Sequence, residues 1–545
     1  MDLGNPLDIL KSANQMRQTQ NWGEAVRLYG QLEVQLRDDG VFHHNFALSL
    51  LGAKQTGLAL VQAERALALL PHLWQAAVVK VRALSAEGRA QEAADVLEDL
   101  TLRYPERGEF ALELASITLH HICNARLARQ LVQPHLHKPA TATDACLTDI
   151  VASLYDRDET AQSLNTRALA FARSHLDRSD SKPVMPLVPL ASRKGRKRLG
   201  LLSPHLNCSP VFFFCSGALR LLCQDFDLVF LSRSPVADWA TAELRLLASD
   251  WFDVVSLNAE QLDAFVRSQS LDVLLDLGGW MDPVALKAIS TKPAALMYKW
   301  VGGQSISTGL RAFDGFITDL EQTPLGFEGW FTEPLVRLPK GYVSYSPPSY
   351  LPAPVAASTH SHVLGVIANP VKVSQPFLEQ LCANLQHRRV EGTPIALRLI
   401  DKRYGNRALQ ARILASLQAA QLQLGDQLRV EFVTPTSHLA YLTAVGQLSE
   451  VADTFPYTGG LTTMEALSLG VPCSGQLGAL FCERHTHAHR SFLQSSSIAS
   501  EARSPLPGEL RQSLVPPNSP RSDHAALAAS LAQLFTTGGV EEVAT

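Results

Sequence analysis

Two hydrophobic patterns divide the chain. In the first 180 residues, apolar positions recur every three or four residues and short β-branched runs are absent, which is typical of packed α-helices. After residue 198, short apolar runs alternate with helical stretches, and their continuous hydrophobicity predicts parallel strands covered on both faces. The predicted strands are 198–203, 227–232, 252–257, 272–279, 294–302, 362–369, 394–401, 428–434 and 450–456.

A repeat of 34 residues runs through the helical part. A 34-residue period with a small residue in one helix and a proline after the second is typical of tetratricopeptide repeats. The alanine lets the paired helix approach closely, and the proline cannot continue a helix. We expect stacked helix pairs with a groove for a peptide or partner, and a helical bundle with chance spacing is the alternative. The markers are Ala25, Ala59, Ala93, Pro71, Pro105 and Pro139.

The α/β part is predicted to form two Rossmann-like lobes, divided by the proline-rich break Tyr345–Pro354. Facing lobes of this kind bind ligands at the carboxyl ends of their strands. The linker carries a basic run, Arg193–Arg198, which we interpret as solvated rather than as a nuclear address or an RNA patch. The predicted segments are 1–180 (helical repeats), 181–197 (linker), 198–350 (first lobe), 351–500 (second lobe) and 501–545 (Ser/Pro-rich tail with a last helix at Ala525–Phe535).

Composition narrows the class of protein. Hydrophobic residues make up 46% of the 545 residues and charged residues 18%, which is the balance of a chain with large cores. The net charge of −4 argues against a nucleic-acid binder, and the 8 cysteines form no CxxC pair. The start lacks a secretory signal, and the most apolar stretch, Val211–Cys223, is too short for a bilayer and carries Arg220. We therefore expect a soluble cytoplasmic protein.

A strand, a glycine turn and a helix start follow one another in the segment Asp453–Pro472. The free N–H groups of a helix start, its dipole and nearby hydroxyls form an anion site, and glycines let the backbone approach a diphosphate. The acid Glu465, one turn into the helix, could hold the two hydroxyls of a ribose. An ordinary turn with a threonine cap is the alternative. The turn and helix start consist of Gly459, Gly460, Thr462 and Thr463.

Two further segments carry candidate chemistry. Lys372 follows the first strand of the second lobe and could face the same diphosphate across the cleft, with a solvated lysine as the alternative. His485, His487 and His489 alternate after Cys482, but this spacing does not match metal ligands on a helix face. We expect these histidines to line a cleft and predict no metal.

Taken in this order, the segments resemble the O-linked N-acetylglucosamine transferases of the SPINDLY type, family 41 of the inverting glycosyltransferases. That family joins tetratricopeptide repeats to a two-lobed GT-B catalytic region, and the resemblance covers about residues 195–495 plus the repeats. The most specific motif is DTFPYTGGLTTMEAL, close to the family's DTFPYNGGTTTxEAL. Further similar segments are RLGLLSPH, FDGFITDLEQTP and FTEPLVRLPKGYVSYSPP. The adhesin-modifying bacterial N-glycosyltransferases, a distant branch, have similar segments.

The resemblance implies a UDP-linked sugar as the donor, bound in the second lobe without a metal. Lys372 matches the family's diphosphate-contacting lysine, and Glu465 stands at the ribose acid. A lysine and a helix start suit a leaving diphosphate, where negative charge develops. The residues that the resemblance assigns to donor binding are Asn369 (the amide beside the lysine), Lys372, Thr436 and Ser437 (backbone contacts), His438 (uridine pocket), Gly459, Gly460, Thr462 and Thr463 (phosphate loop), Glu465 and Arg484.

The chain departs from the family at the acceptor side. Ser209 and Trp280 stand where the family has histidines, Leu461 replaces a threonine of the phosphate loop, and Tyr441 replaces a further histidine. The candidate catalytic residues are Lys372 and His205. His205 lies four residues before Ser209 and is the candidate base, with a structural histidine as the alternative.

The function expected from this resemblance is transfer of N-acetylglucosamine or a hexose from a UDP-sugar to Ser or Thr of proteins, with inversion. The repeats would capture the polypeptide acceptor, and a homodimer is an open alternative. A repeat scaffold that has lost catalysis is the second hypothesis, motivated by the missing histidines. A transferase acting on a polysaccharide or small metabolite is the third.

Overall fold

The computed structural model describes residues 5–180, 195–354, 362–387, 395–497 and 523–538, and of residues 493–497 the backbone only. Two compact units divide between Ala152 and Ser153, whereas the predicted domain boundary is residue 180. The difference arises because the helix Ala161–Phe171 packs with the α/β part, where the Asn165 side chain donates to the carbonyl of Trp330 at 3.0 Å. Most of the predicted linker and most of the tail lie outside the described residues.

The first unit consists of α-helices that repeat in pairs. Helices α1, α3, α5 and α7 begin at residues 6, 40, 74 and 108, so the pairs recur at the predicted 34-residue interval. Ala25, Ala59 and Ala93 are fully buried in α2, α4 and α6, as expected of small residues at close helix contacts. The helices are α1 (Pro6–Gln18), α2 (Trp22–Leu32), α3 (Gly40–Gly52), α4 (Thr56–Leu69), α5 (Trp74–Ala86), α6 (Ala90–Arg103), α7 (Gly108–His120), α8 (Ala125–Val132) and α9 (Ala142–Ser153), which ends one residue beyond the boundary.

The first lobe of the second unit is built on a seven-stranded parallel sheet in the order β3-β2-β1-β4-β5-β6-β7. The strand order reverses between β1 and β4, which creates a switch point at their carboxyl ends. The strands are β1 (Lys197–Ser203), β2 (Phe226–Ser232), β3 (Asp250–Asp253), β4 (Val273–Asp276), β5 (Leu296–Lys299), β6 (Gly315–Thr318) and β7 (Leu335–Arg337). The helices of this part are α10 (Ala161–Phe171), α11 (Pro210–Leu222), α12 (Trp239–Leu247), α13 (Ala259–Ser268) and α14 (Pro283–Ile289).

The second lobe has a five-stranded parallel sheet in the order β10-β9-β8-β11-β12. Here the order reverses between β8 and β11, so the segments that follow these two strands lie side by side. The strands are β8 (His362–Val366), β9 (Ile395–Ile400), β10 (Leu428–Val433), β11 (Glu450–Ala452) and β12 (Cys473–Ser474). The helices are α15 (Gln375–His387), α16 (Arg407–Leu424), α17 (His438–Gly446), α18 (Leu461–Ser468) and α19 (His485–Ser497).

Several strands end earlier than the apolar runs predict. The strand expected at 272–279 stops at Asp276, because its carboxylate accepts hydrogen bonds from the N–H groups of Gly278 and Gly279 and turns the chain. The strand expected at 252–257 is β3 instead, which begins and ends earlier, before the cap of α13.

The last helix, α20 (His524–Thr537), contains the predicted Ala525–Phe535 and returns to the first lobe. Its apolar residues share one core with α11, and the Lys197 ammonium donates to the carbonyl of Phe535 at 3.1 Å. Within the described ranges, no helix combines the length and apolar composition needed to cross a membrane.

Candidate functional site

The candidate site lies at the switch point of the second sheet. The chain leaving β8 forms a short turn over Pro370–Lys372, and Asn369 starts this turn by accepting a hydrogen bond from the N–H of Val371 at 3.2 Å. The chain leaving β11 runs from Asp453 into the glycine turn before α18. Because β8 and β11 are neighbours, the two predicted site segments meet at one edge of the sheet.

Lys372 contacts the loop that follows β11. Its ammonium donates to the carbonyl of Thr458 at 2.8 Å and lies over the ring of Tyr457, 4.2 Å from the centroid. Burial lowers the pKa of Lys372 to about 8, while the charges of Asp453 and Cys482 oppose this shift. The lysine therefore contacts the glycine loop, and burial makes its charged form less favourable than that of an exposed lysine. Its role at a diphosphate stays a prediction.

The glycine loop folds around the buried carboxylate of Asp453. This carboxylate accepts two hydrogen bonds from the N–H of Gly459, at 3.0 and 2.9 Å, and a third from the hydroxyl of Thr486. Burial raises the pKa of Asp453, and these hydrogen bonds act in the opposite direction. A side chain at Gly459 would collide with the hydroxyl of Thr463, so the loop needs glycine at this position.

The start of α18 is the predicted anion site. Gly460 occupies the cap position, and no side chain caps the helix. The Thr463 hydroxyl points back to the carbonyl of Gly459 at 3.0 Å, whereas Thr462 is half-buried in the first turn. The threonine cap is therefore not formed, and the anion site at the first N–H groups of α18 stays a prediction.

A chain of three hydrogen-bonded side chains, one buried and two half-buried, lies beside the loop. Glu465 is 2% exposed, and its carboxylate is 2.7 Å from Nε2 of His438, whose Nδ1 is 2.8 Å from the hydroxyl of Tyr350. A histidine with its proton on Nε2 satisfies both contacts. Burial raises the pKa of Glu465, and His438 counteracts this shift. The structure thus joins the predicted ribose acid to the predicted uridine-pocket histidine, while Tyr441 stacks on the His438 ring.

Three other predicted residues contact backbone or solvent. The Arg484 guanidinium donates to the carbonyls of Glu321 and Gly478, at 3.1 and 3.0 Å. Ser437 caps α17 by accepting from an N–H of the first turn, and Thr436 is exposed. Their roles in donor binding stay predictions.

The acceptor-side residues lie in the first lobe. His205 follows β1, and burial lowers the pKa of its imidazole, which makes the neutral, proton-accepting form dominant at pH 7. The Ser209 hydroxyl donates to the carbonyl of His205 at 2.8 Å. Trp280 is buried, and its indole N–H donates to the carbonyl of Ser307 at 2.9 Å. The side chains at the two substituted histidine positions therefore make internal hydrogen bonds.

The first lobe contains a buried ion pair that we do not predict from the sequence. The Lys299 ammonium is fully buried, 3.3 Å from the Asp276 carboxylate, and donates to the carbonyls of Val301 and Gly302 at 2.9 and 2.6 Å. Burial lowers the pKa of Lys299, and Asp276 acts against that. A lysine inside the apolar run LMYKWV is the signal that could have revealed it.

The alternating histidines do not converge on a metal-ligand cluster in the described residues. His485 contacts the side-chain nitrogen of Gln322 at 3.0 Å, and His487 contacts the carboxylate of Glu321 at 3.3 Å. Among the described residues, no group of three or more His, Cys, Asp or Glu side chains is arranged to hold a metal ion. Three residues of this segment contact the glycine loop: the Cys482 carbonyl and the His485 N–H bond to Thr458, and the Thr486 hydroxyl bonds to Asp453. The sequence pattern does not reveal the role of Thr486.

Comparison with solved structures defines the class of fold. An O-GlcNAc transferase of Thermobaculum terrenum superposes with a TM-score of 0.64 at 22% identity, covering 97% of each chain. The predicted fold class, helical repeats followed by a GT-B pair of Rossmann-like lobes, is confirmed.

Sequence comparison identifies the relatives. A probable UDP-N-acetylglucosamine–peptide N-acetylglucosaminyltransferase SPINDLY of Petunia hybrida is 31% identical over 305 residues, which is 53% of this chain and 31% of that protein. The rice protein of the same name is 29% identical over 305 residues, with the same coverage. The matched part thus spans about a third of these relatives' length, and no family model matches the chain. The resemblance to the SPINDLY-type transferases is confirmed.

Proposed function

We propose that the chain is a protein glycosyltransferase that moves N-acetylglucosamine or a hexose from a UDP-sugar to Ser or Thr hydroxyls, with inversion and without a metal. The observation that carries the proposal is the contact of Lys372 with the glycine loop that leads into α18, a helix whose start has no capping side chain. A cation and a set of unpaired N–H groups at one point suit the two phosphates of a nucleotide.

In the proposed reaction, the acceptor hydroxyl attacks the anomeric carbon from the face opposite the diphosphate. The bond between that carbon and the phosphate oxygen breaks, and UDP leaves with the electron pair. Lys372 and the N–H groups of α18 stabilise the charge that develops on the leaving diphosphate. The neutral imidazole of His205 accepts the hydroxyl proton, since its lowered pKa keeps it unprotonated at neutral pH.

The repeats fit the role of the acceptor-binding part in this proposal. Stacked helix pairs leave extended surfaces that bind peptides. The relatives of Petunia and rice carry names that describe peptide acceptors, which favours a polypeptide over a polysaccharide or a small metabolite.

Calorimetric titration with UDP tests the donor site. We expect the wild-type chain to bind UDP and Lys372→Ala to bind it at least tenfold more weakly, which is a loss of about 1.4 kcal/mol. Lys402→Ala is the matched control, because Lys402 is an exposed lysine of the same lobe. Equal binding by both variants would remove Lys372 from the donor site.

Transfer is tested separately with labelled UDP-sugars. The chain is incubated with each donor and a lysate, and modified Ser and Thr residues are located by mass spectrometry. NMR of the product then gives the anomeric configuration, which must be the reverse of that in the donor. Retention of configuration would contradict the proposed single displacement.

A second candidate function is a repeat scaffold that binds a nucleotide without transferring sugar. The observation that favours it is the internal bonding of the side chains at the substituted histidine positions, Ser209 and Trp280. UDP binding without transfer to any protein would support this candidate. If the scaffold acts through a protein partner and not through the nucleotide, Lys372→Ala leaves the cellular role of the chain intact.

A further inference from the structure

A short segment of the second unit, Tyr155–Arg157, docks on the second lobe at three consecutive residues. It lies between α9 and α10, ahead of the first lobe. Tyr155 stacks on Tyr457, with ring centroids 5.1 Å apart and an interplanar angle of 19°. We call these three residues the docking segment.

The two residues that follow Tyr155 make polar contacts to the same lobe. The carboxylate of Asp156, 4% exposed, accepts from the N–H of Gln375 at 3.1 Å, and Gln375 is the third residue after the donor-site lysine. The guanidinium of Arg157 pairs with the carboxylate of Glu483 at 2.6 Å, and these side chains are 11% and 4% exposed. The docking segment therefore touches the loop before α18, the start of α15 and the turn before α19.

Tyr457 connects this segment to the donor site. The Lys372 ammonium lies 4.2 Å from the centroid of the Tyr457 ring, and the Tyr457 hydroxyl is 3.2 Å from the Ser305 hydroxyl. An ammonium over an aromatic face is attracted by the ring quadrupole, and this attraction depends on where the ring stands. A ring that is stacked on a second ring loses its freedom to swing away.

We propose that Tyr155 is a positioning residue of the donor site, which fixes the Tyr457 ring and so places the Lys372 ammonium at the glycine loop. This inference rests on the proposed function for its consequence in catalysis. The chain ahead of the first lobe thereby contributes to the diphosphate site in the second lobe. The contact that carries the inference is the stacking of the Tyr155 and Tyr457 rings.

The direct test needs no nucleotide. Lys372 is labelled with trace acetic anhydride across a pH series on the ligand-free full-length chain, and the labelled fraction is read by mass spectrometry. The groups that face Lys372 are Asp453, Cys482 and Tyr457, and they are unchanged in the variants. The midpoint of the labelling curve reports the pKa of Lys372, independently of how fast the reagent reaches it.

We expect Tyr155→Ala to raise this midpoint from near 8 towards the ordinary lysine value of 10.5, because a loosened ring admits water to the ammonium. Tyr155→Phe keeps the ring and leaves the midpoint unchanged. An unchanged midpoint in Tyr155→Ala overturns the proposal, and an equal shift in both variants overturns the role of the ring. Thermal melting of both variants shows whether the fold is intact, and a Tyr155→Leu variant replaces Tyr155→Ala if the latter unfolds.

The consequence for the donor site is measured by calorimetry with UDP. At pH 7, where Lys372 is mostly charged in every variant, we expect Tyr155→Ala to weaken UDP binding about two- to tenfold, the range of a partly buried cation–π contact, and Tyr155→Phe to bind as the wild type does. If the wild-type chain does not bind UDP, the proposed function fails, while the labelling midpoint still decides the position of Lys372.

Discussion

We expect the affinity of the proposed donor site for UDP to depend on pH. The diphosphate binds to the charged form of Lys372, and burial lowers the pKa of this lysine to about 8. With that pKa, the protonated fraction falls from about nine-tenths at pH 7 to about one-tenth at pH 9. UDP affinity is therefore expected to fall about tenfold over this interval, since only the charged form offers an ammonium. An exposed lysine would stay charged throughout, so the fall is a signature of burial.

Calorimetry can measure both the UDP affinity and the number of protons taken up on binding. At pH 8, about half of the free sites lack the proton, so UDP binding takes up about half a proton from the buffer. Titrations in buffers of different ionisation enthalpy measure this uptake. Lys372→Met, which keeps the length of the side chain but not its charge, is expected to bind weakly and to lose this component. If the wild type and Lys372→Met have the same pH profile, the reasoning from Lys372 is refuted.

Three further predictions concern the groups around this lysine. Thr486→Val removes a hydroxyl that donates to the buried carboxylate of Asp453 and is expected to lower the free energy of unfolding by about 1 to 3 kcal/mol in urea titrations, with no change if the carboxylate is held otherwise. Tyr350→Phe removes a partner of His438 at 2.8 Å, and we expect UDP affinity to drop about two- to tenfold; unaltered affinity would detach Tyr350 from the pocket. Gly459→Ala introduces a collision at the loop and is expected to abolish measurable UDP binding, whereas retained binding would show that the loop can shift.

Local patterns explain why much of the fold is predictable. The 34-residue period of helix pairs follows from alanine and proline positions that repeat along the chain, and each marker acts through its own helix. Continuous apolar runs predict most of the buried parallel strands. The strands β6 and β7, of four and three residues, lie in stretches where we predict no strand.

The candidate site is predictable only where its contacts are local. The loop from Asp453 to Thr463 is continuous, so its glycines and the helix start can be read from one stretch of sequence. Thr486 lies 27 residues beyond Gly459, and Tyr155 lies far before either of them, yet both contact this loop or its ring. Their places depend on how separate elements pack, and a single sequence has no pattern for that.

The buried lysines at the switch points of the two lobes make different contacts. This difference bears on which group removes the proton from the acceptor hydroxyl. In the second lobe, the loop after β11 leads into a helix start without a capping side chain, and its Thr458 carbonyl accepts from the Lys372 ammonium, which we propose binds the diphosphate. In the first lobe, the loops after β4 and β5 are held by Lys299, whose donors are satisfied by Asp276 and backbone carbonyls. The Lys299 ammonium thus stabilises the loops that surround it, and the Trp280 indole N–H likewise donates to a backbone carbonyl. Proton removal from an acceptor then falls to His205 or to the donor's own phosphate, and a His205→Ala variant separates the two, since only the first route loses transfer while UDP binding stays.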